Sequence, residues 1–456
     1  MGNGRERTTR SGSISHLEEL PLRANGSRLW DGADRMLLEL FGRYVEGEFS
    51  SESEAGAGAG AGTHDAHALS VGSKAHDVLI MNDASGALLR VLTEQSFVKA
   101  FEIGIERLQS FGDDVRSLTH SQVLQETLGE ADRGCSTIAL IPSTHVPETP
   151  TIVVLRVSPI EAIVRAQIIL LRAMQQRGDR FVVIAAGLDR LLPAKTKALL
   201  ASLGTTVSLP GAYKAHGFLC QLDDPSLVSQ PGVPAPNEVG HTSSPAVEVM
   251  SFSLGGKTYA METGPYAFSA GRLDLGSRLL IEALAAAPSF GLTVDGRPGR
   301  VADLACGNGV IGIIAAKVRD GGSHYFSDVS FSSVGLAERN AKKFGLTEAE
   351  FVVDDGFKSY EGPRFDAVLL NPPFHHHGGV NEELGAQLFA EAHRHLRVGG
   401  ELWVVGNRHL GYQKTLQTMF GHCRLVTAHP KFVVLVAQRG VTRLRNPNAN
   451  SNSRKT

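Results

Sequence analysis

Short apolar runs alternate with longer stretches of helical periodicity along both halves of the chain. In the second half, four runs predict buried strands and three stretches predict helices between them. The predicted strands are Arg300–Leu304, His324–Ser327, Asp366–Leu370 and Glu401–Val405, and the predicted helices are Gly309–Val318, Ser332–Phe344 and Glu382–Leu396. This alternation is typical of a parallel α/β sheet.

The first half repeats the alternation, with predicted strands at Val78–Met81, Thr151–Val157 and Arg180–Ala186 and a helix at Ile160–Met174. Near the C-terminus, a helix around Tyr412–Phe420 is followed by the apolar runs Arg424–Ala428 and Lys431–Ala437. Two strands joined so tightly must pair antiparallel, because no crossover helix fits between them. The predicted fold class is α/β, with two tandem domains on mostly parallel sheets and an antiparallel C-terminal hairpin.

The 456 residues are too many for one ordinary hydrophobic core. A segment rich in Pro, Gly and Ser lies near the middle of the chain and predicts an interdomain linker. The expected organisation is a disordered tail at 1–25, a first domain at 26–228, a linker at 229–250, a second domain at 251–440 and a disordered tail at 441–456. An Ala/Gly tract predicts a flexible insertion at 50–70.

Apolar residues make up 42% of the chain and charged residues 20%, which is normal for a globular protein. A formal net charge of -2 neither supports nor excludes a nucleic-acid partner. The four cysteines form no CxxC pair, and no apolar run approaches the ~20 residues that cross a bilayer. We therefore expect a soluble, unanchored cytoplasmic protein with reduced thiols, most simply a monomer.

The segment Asp303-Leu304-Ala305-Cys306-Gly307-Asn308-Gly309 follows a predicted strand and opens a helix. Its glycines would let the backbone pass close to a nucleotide-like cofactor, although a dinucleotide site or a tight turn would also use them. Asp303 would repel a pyrophosphate and suits a cationic sulfonium and its amino group. This loop therefore favours S-adenosylmethionine over a nicotinamide cofactor.

Carboxylates follow the next two predicted strands. Asp328 is placed to accept both ribose hydroxyls, although a helix-capping role is the alternative. Asp354 and Asp355 follow the apolar strand Phe351–Val353 and could bond an adenine amine. Turn chemistry alone would also place Asp-Asp-Gly there.

Asn371-Pro372-Pro373-Phe374 stands where the strand Asp366–Leu370 runs out. The prolines cannot donate ladder hydrogen bonds, so the strand must end and leave carbonyls free. The Asn371 amide oxygen and the Pro372 carbonyl could then accept both hydrogens of one exocyclic NH2 group of a base. Phe374 would stack on the ring of that base and is therefore also assigned to the substrate site. The alternative is a turn that merely breaks a strand.

Three adjacent histidines follow, at 375–377. They lack helical ligand spacing and nearby Cys or carboxylate partners, so we expect no metal. His375 is instead expected to contact the phosphate or base of the substrate.

These motifs resemble one family, the bacterial ribosomal RNA guanine-N2 methyltransferases with two tandem methyltransferase-like domains, and the large-subunit enzyme more closely than the small-subunit one. The matching catalytic-half segments are Phe268-Ser269, Leu273-Asp274-Leu275-Gly276, the cofactor loop, Asn371-Pro-Pro-Phe-His375, Gly400-Glu401-Leu402, Asn407-Arg408-His409-Leu410 and Lys431-Phe432-Val433-Val434. In the first half, Trp30-Asp31 and Val78-Leu79-Ile80-Met81-Asn82-Asp83 are similar to the family's first domain.

The resemblance implies two class I, Rossmann-like domains, of which the N-terminal copy is degenerate. It implies methyl transfer from S-adenosylmethionine to a guanine N2 amine of 23S ribosomal RNA. Asp303, Ala305, Gly307, Gly309, Asp328, Asp354, Asp355 and Asn371 would bind the cofactor, Asn371, Pro372 and Phe374 would catalyse, and Phe374, His375 and Arg408 would bind the RNA. The alternatives are a 16S guanine, an adenine N6 amine, a protein glutamine amide, or a non-catalytic RNA-binding ribosome-assembly factor.

Overall fold

The computed structural model describes residues 30–46, 49, 75–83, 87–93, 104–115, 135–222, 247–267, 271–293, 295–319, 321–373, 375–376, 379–380 and 382–440. The predicted tails, the predicted insertion and residues 229–246 of the predicted linker lie outside these ranges. The chain divides into two compact units. The first comprises Met1–Val247 with Gly264–Tyr266, and the second comprises Glu248–Thr263 with Ala267–Thr456.

The first unit alternates strands and helices before it closes with a hairpin. Its elements are α1 (Gly32–Val45), β1 (Ala75–Met81), α2 (Ala87–Thr93), β2 (Gly104–Gly112), β3 (Cys135–Pro142), β4 (Ile152–Arg156), α3 (Glu161–Gln176), β5 (Val182–Leu188), a 3-10 turn (Asp189–Leu191), α4 (Thr196–Ala201), β6 (Gly204–Ala212) and β7 (Ala215–Leu222).

The second unit opens with a separate hairpin and then repeats the alternation. Its elements are β8 (Glu248–Leu254), β9 (Lys257–Thr263), α5 (Leu275–Ala285), β10 (Arg300–Leu304), α6 (Val310–Val318), β11 (Ser323–Asp328), α7 (Phe331–Lys343), β12 (Glu350–Val353), β13 (Phe365–Leu370), β14 (His375–His376), β15 (Gly379–Val380), α8 (Glu382–His395), β16 (Leu396–Asn407), α9 (Tyr412–Phe420), β17 (Cys423–Ala428) and β18 (Phe432–Gln438).

Both units contain a seven-stranded sheet with the same arrangement. The strand order is β3-β2-β1-β4-β5-β7-β6 in the first and β12-β11-β10-β13-β16-β18-β17 in the second. In each order, the first four pairs of neighbouring strands are parallel and the last two pairs are antiparallel. This confirms the predicted fold class, including the C-terminal hairpin. Within the described residues, no helix has the length and apolar character needed to cross a membrane.

The central strands are apolar on both faces because helices cover both sides of each sheet. In β13, four consecutive residues, Ala367–Leu370, are at most 1% exposed. Alternate residues of this run contribute to two separate core clusters, Ala367 and Leu369 to one and Val368 and Leu370 to the other. A continuous apolar run is therefore what a strand at the centre of a two-sided core requires.

The first strand of the second unit begins at Glu248, before the start of the second domain that was predicted at residue 251. Residues 248–250, assigned to the linker, form the first part of β8, which pairs antiparallel with β9. Met250 and Phe252 are buried, whereas Val249 and Ser251 are exposed. This alternation of period two is the strand signal, and it begins before the predicted end of the linker.

Candidate active site at the carboxyl edge of the second sheet

Four neighbouring parallel strands of the second sheet end at one edge. Leu304 at the end of β10 pairs with Ser327 of β11 on one side and with Leu370 at the end of β13 on the other. Asp328 in turn pairs with Val353, the last residue of β12. The residues that follow these strand ends therefore lie along one edge, and they include the predicted cofactor loop, Asp328, Asp354 and Asn371.

The loop after β10 turns sharply by means of left-handed backbone angles. The φ values are 56° at Ala305, 56° at Gly307 and 81° at Gly309, which caps α6. A Cβ placed on Gly309 would lie 3.0 Å from the Cβ of Ala337, so this glycine allows α6 and α7 to pack closely. A Cβ on Gly307 would meet nothing within 4 Å, so space is open above the loop at that point.

Asp303 lies beneath the loop and is 2% exposed. Its Oδ2 atom accepts a hydrogen bond of 2.7 Å from the Gly312 backbone N–H, whereas its Oδ1 atom is buried with no partner. Burial, reinforced by the neighbouring charge of Asp328, raises the pKa of Asp303 to about 8. Near neutral pH this carboxyl is therefore protonated in most molecules, and it presents one unsatisfied buried oxygen.

Asp328 ties the cofactor loop to the next strand. Its Oδ2 atom accepts from the Gly307 N–H at 2.9 Å, and its Oδ1 atom accepts from the Ser330 N–H at 2.9 Å. The alternative of a helix cap at Asp328 is wrong, because Ser330 is the N-cap of α7 and accepts from the Ser333 N–H at 3.0 Å.

Asp354 and Asp355 both take part in the turn after β12. The Asp354 Oδ2 atom accepts from the backbone N–H and the hydroxyl of Ser359, each at 2.9 Å. Asp355 forms an ion pair with Lys358. Both aspartates thus have a structural role in this turn. An additional hydrogen bond to an adenine amine stays a prediction.

Asn371 follows β13 directly and is held from one side. Its Nδ2 atom donates to the Ser277 hydroxyl at 3.0 Å, which turns the amide oxygen away from Ser277. That Oδ1 atom is buried with no hydrogen-bond partner. The sequence pattern did not single out Ser277, which lies 94 positions earlier in α5. The only sequence signal is its position directly after the family segment Leu273-Asp274-Leu275-Gly276.

The structure describes the other predicted catalytic and RNA-binding residues only in part. Pro372 is buried next to Asn371, and Phe374 lies outside the described residues. His375 begins β14 and pairs with Val380, while its side chain is not among those described. Arg408 is exposed just beyond the end of β16, and its N–H donates to the Lys431 carbonyl at 2.9 Å. Because β16 is the parallel neighbour of β13, Arg408 belongs to the same edge as Asn371.

Among the described residues, no group of three or more His, Cys, Asp or Glu side chains is arranged to hold a metal ion.

Residues 258–436 match the Methyltransferase small domain family. A Klebsiella pneumoniae protein named ribosomal RNA large subunit methyltransferase G is 30% identical over 365 residues, which cover 79% of this chain and 86% of that protein. The Streptomyces avermitilis protein of the same name is 33% identical over 323 residues, which cover 69% of this chain and 78% of that protein.

The chain belongs to the ribosomal RNA large subunit methyltransferase G family. Its predicted membership and its predicted nature as a methyltransferase are thereby confirmed. Among solved structures, the fold is similar to that of the T. thermophilus 16S rRNA N2 methyltransferase RsmC, which was solved with AdoMet and guanosine. The TM-score is 0.61 at 19% identity, and the match covers 92% of this chain and 97% of that one.

The two sheets of this methyltransferase can be aligned residue by residue through their registers. Met81 pairs with Phe111 and Leu155 as Leu304 pairs with Ser327 and Leu370. The positions equivalent to Asp303, Asp328, Asp354 and Asn371 are then occupied by Ile80, Gly112, Ser143 and Arg156. The first sheet thus has no carboxylate or acceptor amide at these four positions, as expected for a degenerate copy.

In the first unit, an ion pair replaces the amide at the acceptor position. Arg156 bonds Asp34 at 2.8 Å and Asp31 at 2.5 Å. Asp31 caps α1 as Asp274 caps α5, so Asp34 corresponds to Ser277, three residues further on. Asn82, the left-handed residue equivalent to Ala305, donates to the Arg156 carbonyl at 2.7 Å. Side chains of the first copy therefore satisfy one another where the second copy leaves acceptors open.

Proposed function

We propose that the chain transfers a methyl group from S-adenosylmethionine to the exocyclic N2 amine of a guanine in 23S ribosomal RNA. The family relatives are named as large-subunit ribosomal RNA methyltransferases. The observation that carries the proposal is the buried, unpartnered Oδ1 atom of Asn371 at the sheet edge that also holds the cofactor loop. A buried acceptor without a donor costs free energy, so a donor from outside the chain is expected there.

The residues at this edge fit S-adenosylmethionine in two respects. Asp303 offers a buried unpartnered oxygen, and Gly307 leaves open space where a side chain would intrude. When bound, this cofactor supplies an electrophilic methyl group on a positively charged sulfur. Within the proposal, Ala305, Gly307 and Gly309 shape the loop that accommodates the cofactor, Asp328 accepts the ribose hydroxyls, and Asp354 or Asp355 accepts the adenine amine.

Asn371 and Pro372 act on the guanine. The lone pair of an exocyclic base amine is delocalised into the ring, so the amine is a weak nucleophile. If the Asn371 Oδ1 and Pro372 carbonyl accept its two hydrogens, the nitrogen pyramidalises and its lone pair points outward. With its lone pair so directed, the amine nitrogen could accept the methyl group that the bound donor would supply, and it would release one of its two hydrogens as a proton. Positioning and fixed dipoles would lower the barrier.

The remaining substrate contacts belong to the same proposal. Phe374 stacks on the guanine, and His375 and Arg408 contact the neighbouring RNA. The guanine must be unpaired or flipped out to reach such an edge. A monomer in the cytoplasm that uses no metal is the simplest form of this enzyme, and these features stay predictions.

Mass mapping of ribosomal RNA from a deletion strain tests the substrate. We expect one guanine of the 23S RNA to lose its N2 methyl group and to regain it when the chain is restored. Loss of a 16S guanine methyl group instead would transfer the assignment to the small subunit.

Asn371→Ala tests the catalytic assignment. The variant should lose methyl transfer yet bind S-adenosylmethionine with the affinity of the unchanged protein, measured by calorimetry. A chain that takes up no donor at all would instead be a non-catalytic RNA-binding or assembly factor.

A further inference from the structure

A cavity in the second unit lies away from Asn371. It has a volume of about 610 Å³. Its charged lining consists of Lys358, Arg364, Arg394 and Arg439 together with Glu361 and Glu391. Two of its walls are formed by Arg364, which precedes β13, and Arg439, which follows β18. The cavity therefore opens at the amino-terminal end of β13, opposite to the end that bears Asn371.

Two guanidinium groups in this cavity converge on the same backbone oxygens. Arg364 and Arg439 both donate to the carbonyls of Arg394 and Leu396, where α8 ends and β16 begins. Neither forms an ion pair with a carboxylate in the part of the chain that the structure describes, whereas Arg394 pairs with Glu391. Two positive charges are therefore held side by side without a negative group between them.

The end of helix α8 does not neutralise this pair. The carbonyl end of a helix carries a partial charge of about -0.5, so two guanidinium groups leave an excess of more than one positive charge. The mutual repulsion also affects neighbouring groups. Burial and the charge of Arg364 lower the pKa of Arg439, and burial together with both arginines lowers the pKa of His393.

The sequence that continues from this cavity is also basic. Arg439 is followed by Gly440, and residues 441–456 contain Arg443, Arg445, Arg454 and Lys455 but no Asp or Glu. Positive charge therefore continues along the chain from the cavity, which suits an extended polyanion better than a small free anion.

We propose that this cavity binds a backbone phosphate of the ribosomal RNA through Arg364 and Arg439. Paired guanidinium groups match phosphate oxygens in geometry and charge. Arg364 and Asn371 lie seven positions apart at the two ends of β13, which corresponds to roughly 20 Å of extended chain. The contact is therefore a second grip on the RNA, remote from the target base, which orients the substrate without reading its sequence. The inference rests on the proposed function for the identity of the RNA.

The test is the salt dependence of binding to protein-free total ribosomal RNA, measured with the full chain by filter binding across a KCl series. For Arg364→Gln/Arg439→Gln, the slope of log K against log[KCl] should fall by about 0.7 to 0.9, because the one phosphate contact that both arginines hold is lost. Arg364→Lys/Arg439→Lys should restore most of the slope. The matched control Arg297→Gln/Lys342→Gln removes two exposed charges at 80% and 65% exposed positions and should leave the slope unchanged.

S-adenosylmethionine affinity should stay unchanged in all these variants, since its proposed site lies at the opposite edge. If the double glutamine variant does not fold, the single variants Arg364→Gln and Arg439→Gln replace it, and each should still reduce the slope. An unchanged slope in a folded variant overturns the inference. So does tight calorimetric binding of inorganic phosphate that the substitutions abolish while RNA binding is unaffected.

The two proposals fail separately in this design. If the unchanged protein binds ribosomal RNA with a slope that depends on Arg364 and Arg439 but methylates no guanine, the proposed function fails and the phosphate site stands. If methylation occurs and the slope is insensitive to these arginines, the phosphate site fails alone.

Discussion

Asp303 illustrates how one buried carboxyl can couple cofactor binding to protonation. Its pKa is raised to about 8 by burial, so the free protein holds it mostly neutral at pH 7. A cationic ligand beside it would favour the ionised form. In the free protein, the raised pKa of Asp303 contributes stability that is fully present below pH 3.8, the ordinary pKa of an aspartate. That contribution is lost as the pH rises through about 8.

We expect the affinity for S-adenosylmethionine to increase as the pH rises towards about 8 and then to level off. Below that value the gain should approach about tenfold per pH unit, because binding must release one proton. Calorimetry in buffers of different ionisation enthalpy measures both the affinity and the proton. Asp303→Asn should bind more weakly with a flat profile, and a profile parallel to that of the unchanged protein would exclude this coupling.

Ser277 is expected to act as a positioning residue. Ser277→Ala removes the hydroxyl that accepts from Asn371 Nδ2 and frees the amide to rotate. A neutral hydrogen bond of about 1 kcal/mol predicts a roughly fivefold decrease in kcat. KM for S-adenosylmethionine should not change. Ser277→Thr retains the hydroxyl and should recover most of the rate, and an equal loss in both variants would point to packing instead.

At the scale of elements, the first unit depends on the ion-pair cluster at the end of β4. Asp34 is 3% exposed, and burial raises its pKa even though Arg156 acts in the opposite direction. Removal of the guanidinium would leave two carboxylates without their cation.

Arg156→Met should therefore destabilise the first unit by about 3 to 5 kcal/mol, the usual cost of breaking a buried pair. Urea unfolding followed by circular dichroism measures the loss. The control is Arg165→Met, whose partner Glu161 and own side chain are 37% and 41% exposed, and its cost should stay below about 1 kcal/mol. Similar costs for both substitutions would show that the cluster behaves as a surface pair.

The sequence predicts the apolar parallel strands well, because burial on both faces leaves continuous apolar runs. The predicted strand Arg300–Leu304 is reproduced, and Asp366–Leu370 differs from β13 by one residue. The hairpin of β8 and β9 was not predicted, since its strands alternate buried and exposed positions next to a Pro- and Gly-rich segment.

The residues of the candidate site could likewise be predicted from the sequence only in part. Cofactor-loop and acceptor residues follow strands, so sequence order alone predicts that they share an edge. Ser277 could not be predicted, because its contact with Asn371 joins positions 94 residues apart. Likewise, the equivalence of Arg156 and Asn371 becomes visible only when the strand registers are known.

For the whole molecule, we expect one S-adenosylmethionine per chain. The first sheet has no carboxylate at the positions equivalent to Asp303, Asp328 and Asp354, so we expect the cofactor to bind at the second sheet. At a ligand concentration about 100 times Kd, the unfolding free energy of the second unit should increase by about 2.7 kcal/mol. Calorimetric titration gives the stoichiometry, and a value of two would contradict the degenerate assignment.

The presence of Arg156 and Asp34 where the second unit has Asn371 and Ser277 also limits how the first sheet could gain an acceptor amide. Arg156→Asn alone would leave Asp31 and Asp34 without the cation that they bind. Asp34→Ser alone would remove one of the two carboxylates that bind the guanidinium. Each single substitution therefore weakens the first unit. Both positions would have to change together before an acceptor amide could form there without this loss of stability.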